Sequence, residues 1–360
     1  MGKIKIIHII GKLQMGGAER LLYDLCRKID KEKFSVQVVT VHGGGAAQKM
    51  FETAGIKVVN FNKAEKWDFA VIKRLADYLR GERPDVAHTH LFAGDFWGGI
   101  AARRAGVPQL ISTRHDVLKE GWPRDFLGKW ARKKCDKVVA ISQFIFEHLV
   151  KKEGIDFQKI TIIYNGIDMT KFYNPGKNIL KTDLVTIGAV GRMSKEKGHK
   201  HLLRAGRLLL HRNWQMLFAG AGPCRALLEK LVHSLGIENK VKFLGELEDV
   251  MPVLRNIDIF VLPSASEGLS LALLEAAAAG CFVIATRVGG VPEVVSNGVT
   301  GKLFKAKRIE QLVAHLNWVI ANPEQARRMA QKLQAEVVAK FDLNVMAQQY
   351  MKMYEGLAGK

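Results

Sequence analysis

The chain has 360 residues, of which 48% are hydrophobic and 25% charged, a mixture that excludes a disordered protein. This length exceeds what one hydrophobic core usually serves, so we expect two domains. The formal net charge of +20 favours anionic partners such as nucleic acid, phosphorylated ligands or an acidic membrane surface, without choosing among them. No apolar run approaches the roughly 20 residues that cross a bilayer.

The basic and apolar stretch at residues 3–10 leads into a Gly-Gly turn and has no small-residue cleavage site. We therefore interpret it as a first strand and not as a signal peptide. Four cysteines lie far apart without a Cys-x-x-Cys pair, which argues against a zinc site or a disulfide framework. We expect a protein of the reducing cytoplasm.

Short β-rich runs alternate with amphipathic segments of helical length, which predicts repeated βα units around parallel sheets. The predicted strands cover 3–10, 35–41, 57–61, 86–90, 109–113, 137–141 and 160–163 in the first half, then 184–190, 215–219, 241–244, 257–262, 282–285 and 301–303.

A stretch rich in Asn, Gly, Asp and Pro at 165–183 is typical of an interdomain linker. The prediction is an α/β protein with one Rossmann-like domain at 1–170 and a second at 171–341. A C-terminal helix at 342–358 is expected to join the first domain, because it carries an apolar face that must be covered. That face is predicted to consist of Val345, Met346, Tyr350, Met353 and Tyr354.

The strongest motif is the segment 264–276, SASEGLSLALLEA, which follows an apolar strand and opens a helix-forming run. Gly268 allows close approach of the backbone, and the amides of Leu269, Ser270 and Leu271 are the donors of a helix N-terminus. Such a turn at the carboxyl end of a parallel strand is suited to hold a diphosphate.

Glu267 and Glu275 flank this turn, with seven residues between them. A carboxylate beside a phosphate is repulsive, so we expect both to accept hydrogen bonds from neutral hydroxyls, such as those of a ribose and a hexose. The alternative is that Glu267 is an acid near a helix start and Glu275 a solvated helix residue.

The spacing Glu267-x7-Glu275 resembles the signature of retaining glycosyltransferase family 4. The other segments that carry the resemblance, in the same order as in that family, are 16–20 (GGAER), Ser142, 164–168 (YNGID), 191–198 (GRMSKEKG), 220–223 (GAGP) and 288–293 (VGGVPE). The resemblance covers nearly the whole chain. It implies the GT-B fold, in which two Rossmann-like domains face a cleft, a nucleotide-diphosphate sugar as donor, and transfer with retention of the anomeric configuration.

Gly191, Arg192 and Lys197 come directly after the first strand of the second half. A guanidinium fork and an ammonium near a strand end are able to neutralise a diphosphate. The resemblance implies that this pair holds the phosphates of the sugar donor and stabilises the leaving group. The alternative is a solvated basic loop.

In the first half, Gly16 and Gly17 lead into the first helix, where glycines let the loop approach a ligand in the predicted cleft. Their spacing from Gly11 does not match the Gly-x-Gly-x-x-Gly pattern of a dinucleotide site, which argues against a dehydrogenase.

His115 follows a predicted strand, and the resemblance implies that it contacts the reacting sugar; the alternative is a structural histidine. His88 and His90 look like a metal pair, but no third ligand is evident in the sequence, so we interpret them as residues of the core or cleft. The chain has no Asp-x-Asp motif. We therefore expect neither a metal nor a cofactor.

Segment 122–137, WPRDFLGKWARKKCDK, places aromatic and basic residues together. One interpretation is an interfacial patch for anionic lipid at the inner face of the membrane. The other is an amphipathic helix whose apolar side packs in the core.

The leading hypothesis is a metal-independent hexosyltransferase that acts on a glycan or lipid-linked acceptor in cell-envelope polysaccharide synthesis. A nucleotide-sugar epimerase or a phosphorylase on the same fold remains an alternative, because fold does not determine function. Nucleic-acid binding is suggested by the charge alone, since the lysines are dispersed and no binding module is evident. The sequence leaves open the nucleotide base, the sugar, the acceptor and the oligomeric state.

Overall fold

The computed structural model describes residues 2–63, 68–117, 121–210 and 213–359. The chain divides into two compact units: the first comprises Met1–Gly166 and Leu343–Lys360, and the second comprises Ile167–Asp342. The division thus follows Gly166, whereas the sequence analysis placed it after residue 170. No described helix combines the length and the apolar composition that a membrane crossing requires.

The first unit is built on a seven-stranded parallel sheet in the order β3-β2-β1-β4-β5-β6-β7. Its strands are β1 (Ile4–Ile10), β2 (Phe34–Thr40), β3 (Lys57–Asn60), β4 (Val86–His90), β5 (Gln109–Arg114), β6 (Lys137–Ala140) and β7 (Ile160–Ile162). Its helices are α1 (Gly17–Lys28), α2 (Gln48–Thr53), α3 (Ala70–Glu82), α4 (Leu91–Ala93), α5 (Gly99–Ala105), α6 (Arg124–Lys133), α7 (Gln143–His148) and, at the C-terminus, α15 (Leu343–Ala358).

The second unit is built on a six-stranded parallel sheet in the order β10-β9-β8-β11-β12-β13. Its strands are β8 (Val185–Val190), β9 (Trp214–Ala219), β10 (Val241–Gly245), β11 (Ile259–Leu262), β12 (Phe282–Thr286) and β13 (Lys302–Phe304). Its helices are α8 (Met169–Phe172), α9 (His199–Arg207), α10 (Arg225–Leu235), α11 (Met251–Asn256), α12 (Leu271–Ala278), α13 (Ile309–Ala321) and α14 (Pro323–Lys340).

Each predicted strand is present, and the α/β class with two parallel-sheet Rossmann-like domains is confirmed. The predicted strand 257–262 begins two residues late, at Ile259. The reason is that the carboxylate of Asp258 accepts hydrogen bonds from the backbone N–H groups of Leu180 and Thr186, each at 2.8 Å. Asp258 thus joins the start of β11 to the segment that leads into β8.

The apolar face of α15 differs in part from the predicted one. Met346, Tyr350 and Tyr354 are buried at i, i+4 spacing, whereas Val345 is 42% exposed, so its assignment to the buried face was wrong. A residue one position from Met346 on a helix points about 100° away from it. The helix packs in the first unit, where the Tyr354 hydroxyl lies 2.7 Å from Nδ1 of His88.

Candidate functional site

The second sheet has a topological switch point between β8 and β11. Strand β8 is hydrogen-bonded to β9 on one side and to β11 on the other, so the connections leave β8 in opposite directions. In open parallel sheets this arrangement creates a crevice at the carboxyl ends of the strands, where ligands bind. The loops at 191–198 and 263–270 follow these two strands, and both contain residues predicted for the site.

An ion pair joins these loops. Lys197 Nζ lies 2.7 Å from Oε1 of Glu267, and the side chains are 26% and 7% exposed respectively. The sequence predicts a phosphate partner for Lys197 and hydroxyl partners for Glu267, but it contains no signal that these two side chains contact each other. The pair orients the lysine and compensates the charge of a largely buried carboxylate.

The backbones of the two loops are also tied together. The N–H of Ala265 donates to the carbonyl of Glu196 at 2.7 Å. Gly198 has φ +68, and a Cβ there would lie 2.1 Å from the carbonyl oxygen of Pro263. The approach therefore requires glycine at position 198, directly after Lys197.

A third loop, after β12, packs beneath Glu267. Gly289 has φ +54, and a Cβ at this position would lie 1.6 Å from the carbonyl oxygen of Glu267. The N–H of Gly290 donates to the carbonyl of Gly268 at 3.0 Å. Glycines of the VGGVPE segment thus fix the backbone that carries Glu267. The sequence alone predicts no role for these glycines.

Helix α12 begins beside this ion pair. Ser270 is its N-cap, and its Oγ accepts the N–H of Leu273 at 3.3 Å. The N–H groups of Leu271 and Ala272 have no partner within the helix, because the first turn of an α-helix lacks preceding carbonyls. Together with the helix dipole they favour an anion at this end. Leu269 is buried, and Glu275 lies one turn along the helix from Leu271 and is half-buried.

Gly191 and Arg192 begin the loop after β8. The N–H of Gly191 donates to the carbonyl of Ala219 at 2.9 Å, which holds the start of the loop against β9. Arg192 is exposed. The structure therefore gathers Gly191, Arg192, Lys197, Glu267 and the start of α12 on the loops that flank one switch point, and Glu275 one turn farther along that helix.

In the first unit, Gly16 and Gly17 lie at the start of α1. Gly16 is the N-cap, and a Cβ there would lie 2.4 Å from Oε2 of Glu19. Glu19 is only 8% exposed although it carries a carboxylate. In the sequence Glu19 stands out only as part of the GGAER segment, because an acid in the first turn of a helix is ordinary.

Histidines His8, His88 and His90 form a buried cluster on neighbouring strands. Strands β1 and β4 pair in a register that places His8 beside His88, and this brings together residues 80 positions apart. Burial lowers the pKa of His8 to about 3 and that of His88 and His90 well below the usual value, so the rings are neutral. His8 is thus the neighbour that the sequence did not reveal.

His115 follows β5 and extends this cluster. Its Nε2 lies 3.1 Å from Nδ1 of His90, and the ring is half-buried. Burial, followed by the charge of Arg114, lowers the pKa of His115 to about 4. At neutral pH His115 is therefore an uncharged group that donates from one nitrogen and accepts at the other.

A buried ionic network lies in the first unit and was missed from the sequence. Arg132 on α6 donates to Asp95 at 2.9 Å and to Glu153 at 2.7 Å and 2.9 Å. Burial by itself would lower the pKa of Arg132, but the two acids raise it above its usual value. Asp95 and Glu153 are far from Arg132 in the chain, so no sequence pattern joins them.

The segment before and along α6 exposes three aromatic side chains. Trp122, Phe126 and Trp130 are 88%, 63% and 41% exposed. Ala131 on the same helix is buried, so core packing accounts for only part of the apolar side. The exposed aromatic residues lie near Lys129 and Lys133, and we call the segment 122–133 the aromatic–basic patch.

Two family models match this chain. One, described as Glycosyltransferase Family 4, matches residues 15–171, and the other, described as Glycosyl transferases group 1, matches residues 172–335. Their common boundary lies within the predicted linker.

The chain is 26% identical over 335 residues to the UDP-Gal:alpha-D-GlcNAc-diphosphoundecaprenol alpha-1,3-galactosyltransferase of Escherichia coli, covering 86% of each chain. It is 26% identical over 303 residues to the N-acetyl-alpha-D-glucosaminyl L-malate synthase of Bacillus anthracis, covering 80% of this chain and 79% of the relative. The structure of Anabaena HepE in complex with UDP-glucose superposes with a TM-score of 0.88 at 22% identity, covering 98% of this chain and 99% of the other. This structural likeness confirms the GT-B fold.

Proposed function

Because the chain belongs to the glycosyltransferases, with a family 4 domain followed by a group 1 domain, we propose that it transfers a hexose from a nucleotide-diphosphate sugar. The proposed acceptor is a glycan or a lipid-linked saccharide, as in bacterial surface polysaccharide or glycolipid synthesis. One relative, whose name specifies UDP-Gal and a diphosphoundecaprenol acceptor, supports this substrate class.

The observation that carries the proposal is the ion pair Lys197–Glu267 beside the N-terminus of α12, at the switch point of the second sheet. The proposed sugar donor places its pyrophosphate at the first amides of α12, with Lys197 and the exposed Arg192 neutralising its charge. As the bond to the sugar breaks, negative charge grows on the leaving phosphate, and these preorganised groups stabilise it.

Glu267 and Glu275 have a different proposed role. A carboxylate accepts hydrogen bonds and repels phosphate, so each is suited to hold hydroxyl groups of the ribose or the sugar. Glu267 also holds Lys197, so its charge is balanced before a substrate arrives. We propose that Lys197 contacts both this carboxylate and the pyrophosphate when the sugar donor is bound.

His115 is proposed to contact the reacting sugar through a hydrogen bond, and Gly16 and Gly17 to allow a ligand close to the backbone at the start of α1. Retention of the anomeric configuration is proposed on the basis of the family resemblance. Independence from metal is proposed because the sequence has no Asp-x-Asp motif and because Arg192 and Lys197 supply positive charge in place of a divalent ion.

The alternatives make different products. An epimerase would change the sugar donor without an acceptor, and a phosphorylase with pyridoxal phosphate would show the absorption of that group. A nucleic-acid binder would bind RNA or DNA with a steep salt dependence. None of these activities is named among the relatives reported above.

The test is a thermal-shift screen with UDP-, GDP-, ADP- and TDP-sugars, since a ligand that binds the native state raises its stability. The nucleotide that stabilises the protein is then used in a transfer assay with lipid-linked and free saccharide acceptors. NMR of the product determines the anomeric configuration. Stabilisation by none of the four, together with no transfer, would refute the proposal.

A further inference from the structure

Three histidines of the first unit form a continuous hydrogen-bonded chain, which we call the imidazole relay: His8 on β1, His90 at the end of β4 and His115 after β5. His8 Nδ1 lies 3.0 Å from His90 Nε2, and His90 Nδ1 lies 3.1 Å from His115 Nε2. His8 and His90 are at most 2% exposed. The relay therefore runs from the interior of the sheet to the half-buried ring of His115.

The two hydrogen bonds of His90 are coupled. A neutral imidazole has one N–H and one lone pair, so a ring that uses both nitrogens must donate through one and accept through the other. If His90 donates to His115, it must accept from His8. If it accepts from His115, it must donate to His8. The hydrogen bonds of the relay consequently all run in the same direction, either from His8 towards His115 or from His115 towards His8.

The direction of these hydrogen bonds is determined at His8, the buried end of the relay. His8 Nε2 is buried and has no hydrogen-bond partner among the residues that the structure describes. One direction leaves a lone pair at this nitrogen, and the other leaves an N–H. Among backbone groups, a buried N–H without a partner is rarer than a buried carbonyl with an unused lone pair, and we apply the same preference to the ring nitrogens. The favoured direction therefore places the proton of His8 on Nδ1, from which it donates to His90.

From this order we infer that the relay holds His115 as the Nδ1–H tautomer, with His8 and His90 as positioning residues. His90 donates to Nε2 of His115, so the proton of a neutral His115 must be on Nδ1. His115 thus presents an N–H donor to an oxygen of its ligand, such as a sugar hydroxyl or a phosphate oxygen. The inference rests on the proposed function for that ligand only, because the tautomer itself follows from the relay.

A metal ion is the competing interpretation of the same residues, since ligand atoms of His8, His88 and His90 lie within 4.8 Å of one another. However, both nitrogens of His88 already have partners: Nδ1 lies 2.7 Å from the Tyr354 hydroxyl and Nε2 2.7 Å from Oγ1 of Thr113. A cation would have to displace one of these bonds, and three neutral ligands would leave its charge uncompensated in a buried site. The relay requires neither the loss of a hydrogen bond of His88 nor a buried charge without compensation.

The first experiment is long-range ¹H–¹⁵N NMR of the full chain labelled with ¹⁵N-histidine, which distinguishes a protonated Nδ1 from a protonated Nε2. At pH 7.5 we expect Nδ1–H and an unprotonated Nε2 for His8, His90 and His115. A proton on Nε2 of His115, a doubly protonated His115 ring, or a stoichiometric metal ion in the purified protein would overturn the inference. This experiment requires no substitution in the relay.

The second experiment compares His90→Phe with His88→Phe. His88 is the matched control, because its ring lies 4.3 Å from that of His90 but belongs to a different set of hydrogen bonds. We expect His90→Phe to populate the Nε2–H tautomer of His115 and to lower kcat about tenfold, the kinetic equivalent of one neutral hydrogen bond. We expect His88→Phe to leave the His115 tautomer unchanged. An unchanged tautomer in His90→Phe contradicts the relay.

The relay and the proposed role of His115 are tested independently of each other. If the tautomers are as expected but His115→Phe transfers sugar at the wild-type rate, then the proposed role of His115 is wrong and the relay stands. If His115→Phe is inactive but wild-type His115 is protonated on Nε2, the relay is wrong and the proposed role stands.

Discussion

Lys197 Nζ and Glu267 Oε1 are 2.7 Å apart, although 70 residues separate them in the chain. They meet because their loops follow β8 and β11, which are adjacent in the sheet. Glu267 is 7% exposed, so the carboxylate depends on Lys197 for charge compensation. The lysine is more exposed, which leaves it available to an anionic ligand.

Lys197→Met is expected to lower kcat by about 100- to 1,000-fold, because it removes a preorganised charge at the leaving group. The matched control is Lys195→Met, an exposed lysine in the same turn. Steady-state kinetics with the sugar donor identified in the screen measure both. Equal losses in the two variants would indicate a general effect of positive charge and contradict the assigned role of Lys197.

Gly289→Ala is expected to raise KM for the sugar donor and to destabilise the protein by more than about 1–2 kcal/mol, the cost of a left-handed residue with a Cβ. The added methyl would lie 1.6 Å from the Glu267 carbonyl oxygen, so the backbone of the site must move. Gly298→Ala is the control, since Gly298 has φ +79 but nothing lies within 4 Å of its added Cβ. Thermal unfolding and donor titration compare the two, and identical behaviour would show that the contact with Glu267 has no consequence.

Arg132→Met is expected to destabilise the first unit by about 3–5 kcal/mol, because it removes the cation that bonds to both buried acids, Asp95 and Glu153. Arg114 lies 3.6 Å from Glu153, which is too far for a hydrogen bond that would replace the lost ones. Arg104→Met, at an exposed position of α5, should change the free energy of unfolding little. Urea denaturation of both variants measures the difference. A loss below 1 kcal/mol for Arg132→Met would mean that the network contributes little to stability.

Stability should fall as the pH is lowered from about 6.5 towards 4. The folded-state pKa of His8 is about 3 and that of His115 about 4, whereas unfolded histidine titrates near 6.5. In this window the unfolded chain takes up protons that the folded chain does not, so protonation favours unfolding. Urea midpoints at pH 7, 6 and 5 measure the slope.

His8→Phe removes one of these buried histidines, and it should reduce the dependence of the urea midpoint on pH. His233→Phe, at a side chain that is 85% exposed, is the control for losing a surface histidine. If both variants keep the full slope, groups other than the buried histidines cause the acid sensitivity.

The aromatic–basic patch is expected to bind anionic vesicles, and Phe126→Ser should weaken that binding. Leu227→Ser is the matched control, because Leu227 on α10 is also 63% exposed. Flotation with vesicles of phosphatidylglycerol, compared with phosphatidylcholine alone, measures the effect. If the wild-type protein binds both vesicle types equally, or binds neither, the patch does not recognise anionic lipid. The positive charge would then serve to bind the acceptor.

The fold class and the positions of the strands can be predicted from the amino-acid sequence alone. Buried parallel strands require continuous apolar runs, as in β11 and β12, and the turns between them require glycine and polar residues, so local composition encodes these elements. The sequence also predicts the start of α12, because a glycine, a capping serine and a helix-forming run are adjacent in the chain. The exposed Val345 shows the limit of this approach, since periodicity gives a face only to within about a residue.

The contacts between side chains of the site, in contrast, are visible only in the folded protein. The spacing of residues in the sequence does not predict the pair Lys197–Glu267, the network around Arg132 or the approach of Gly289 to Glu267. Each of these depends on the order of strands in a sheet. The same holds for the imidazole relay, which joins His8 to residues from two other strands. Hydrogen bonds and ion pairs act over about 3 Å, and chain segments far apart in sequence come within that distance only when the sheet assembles.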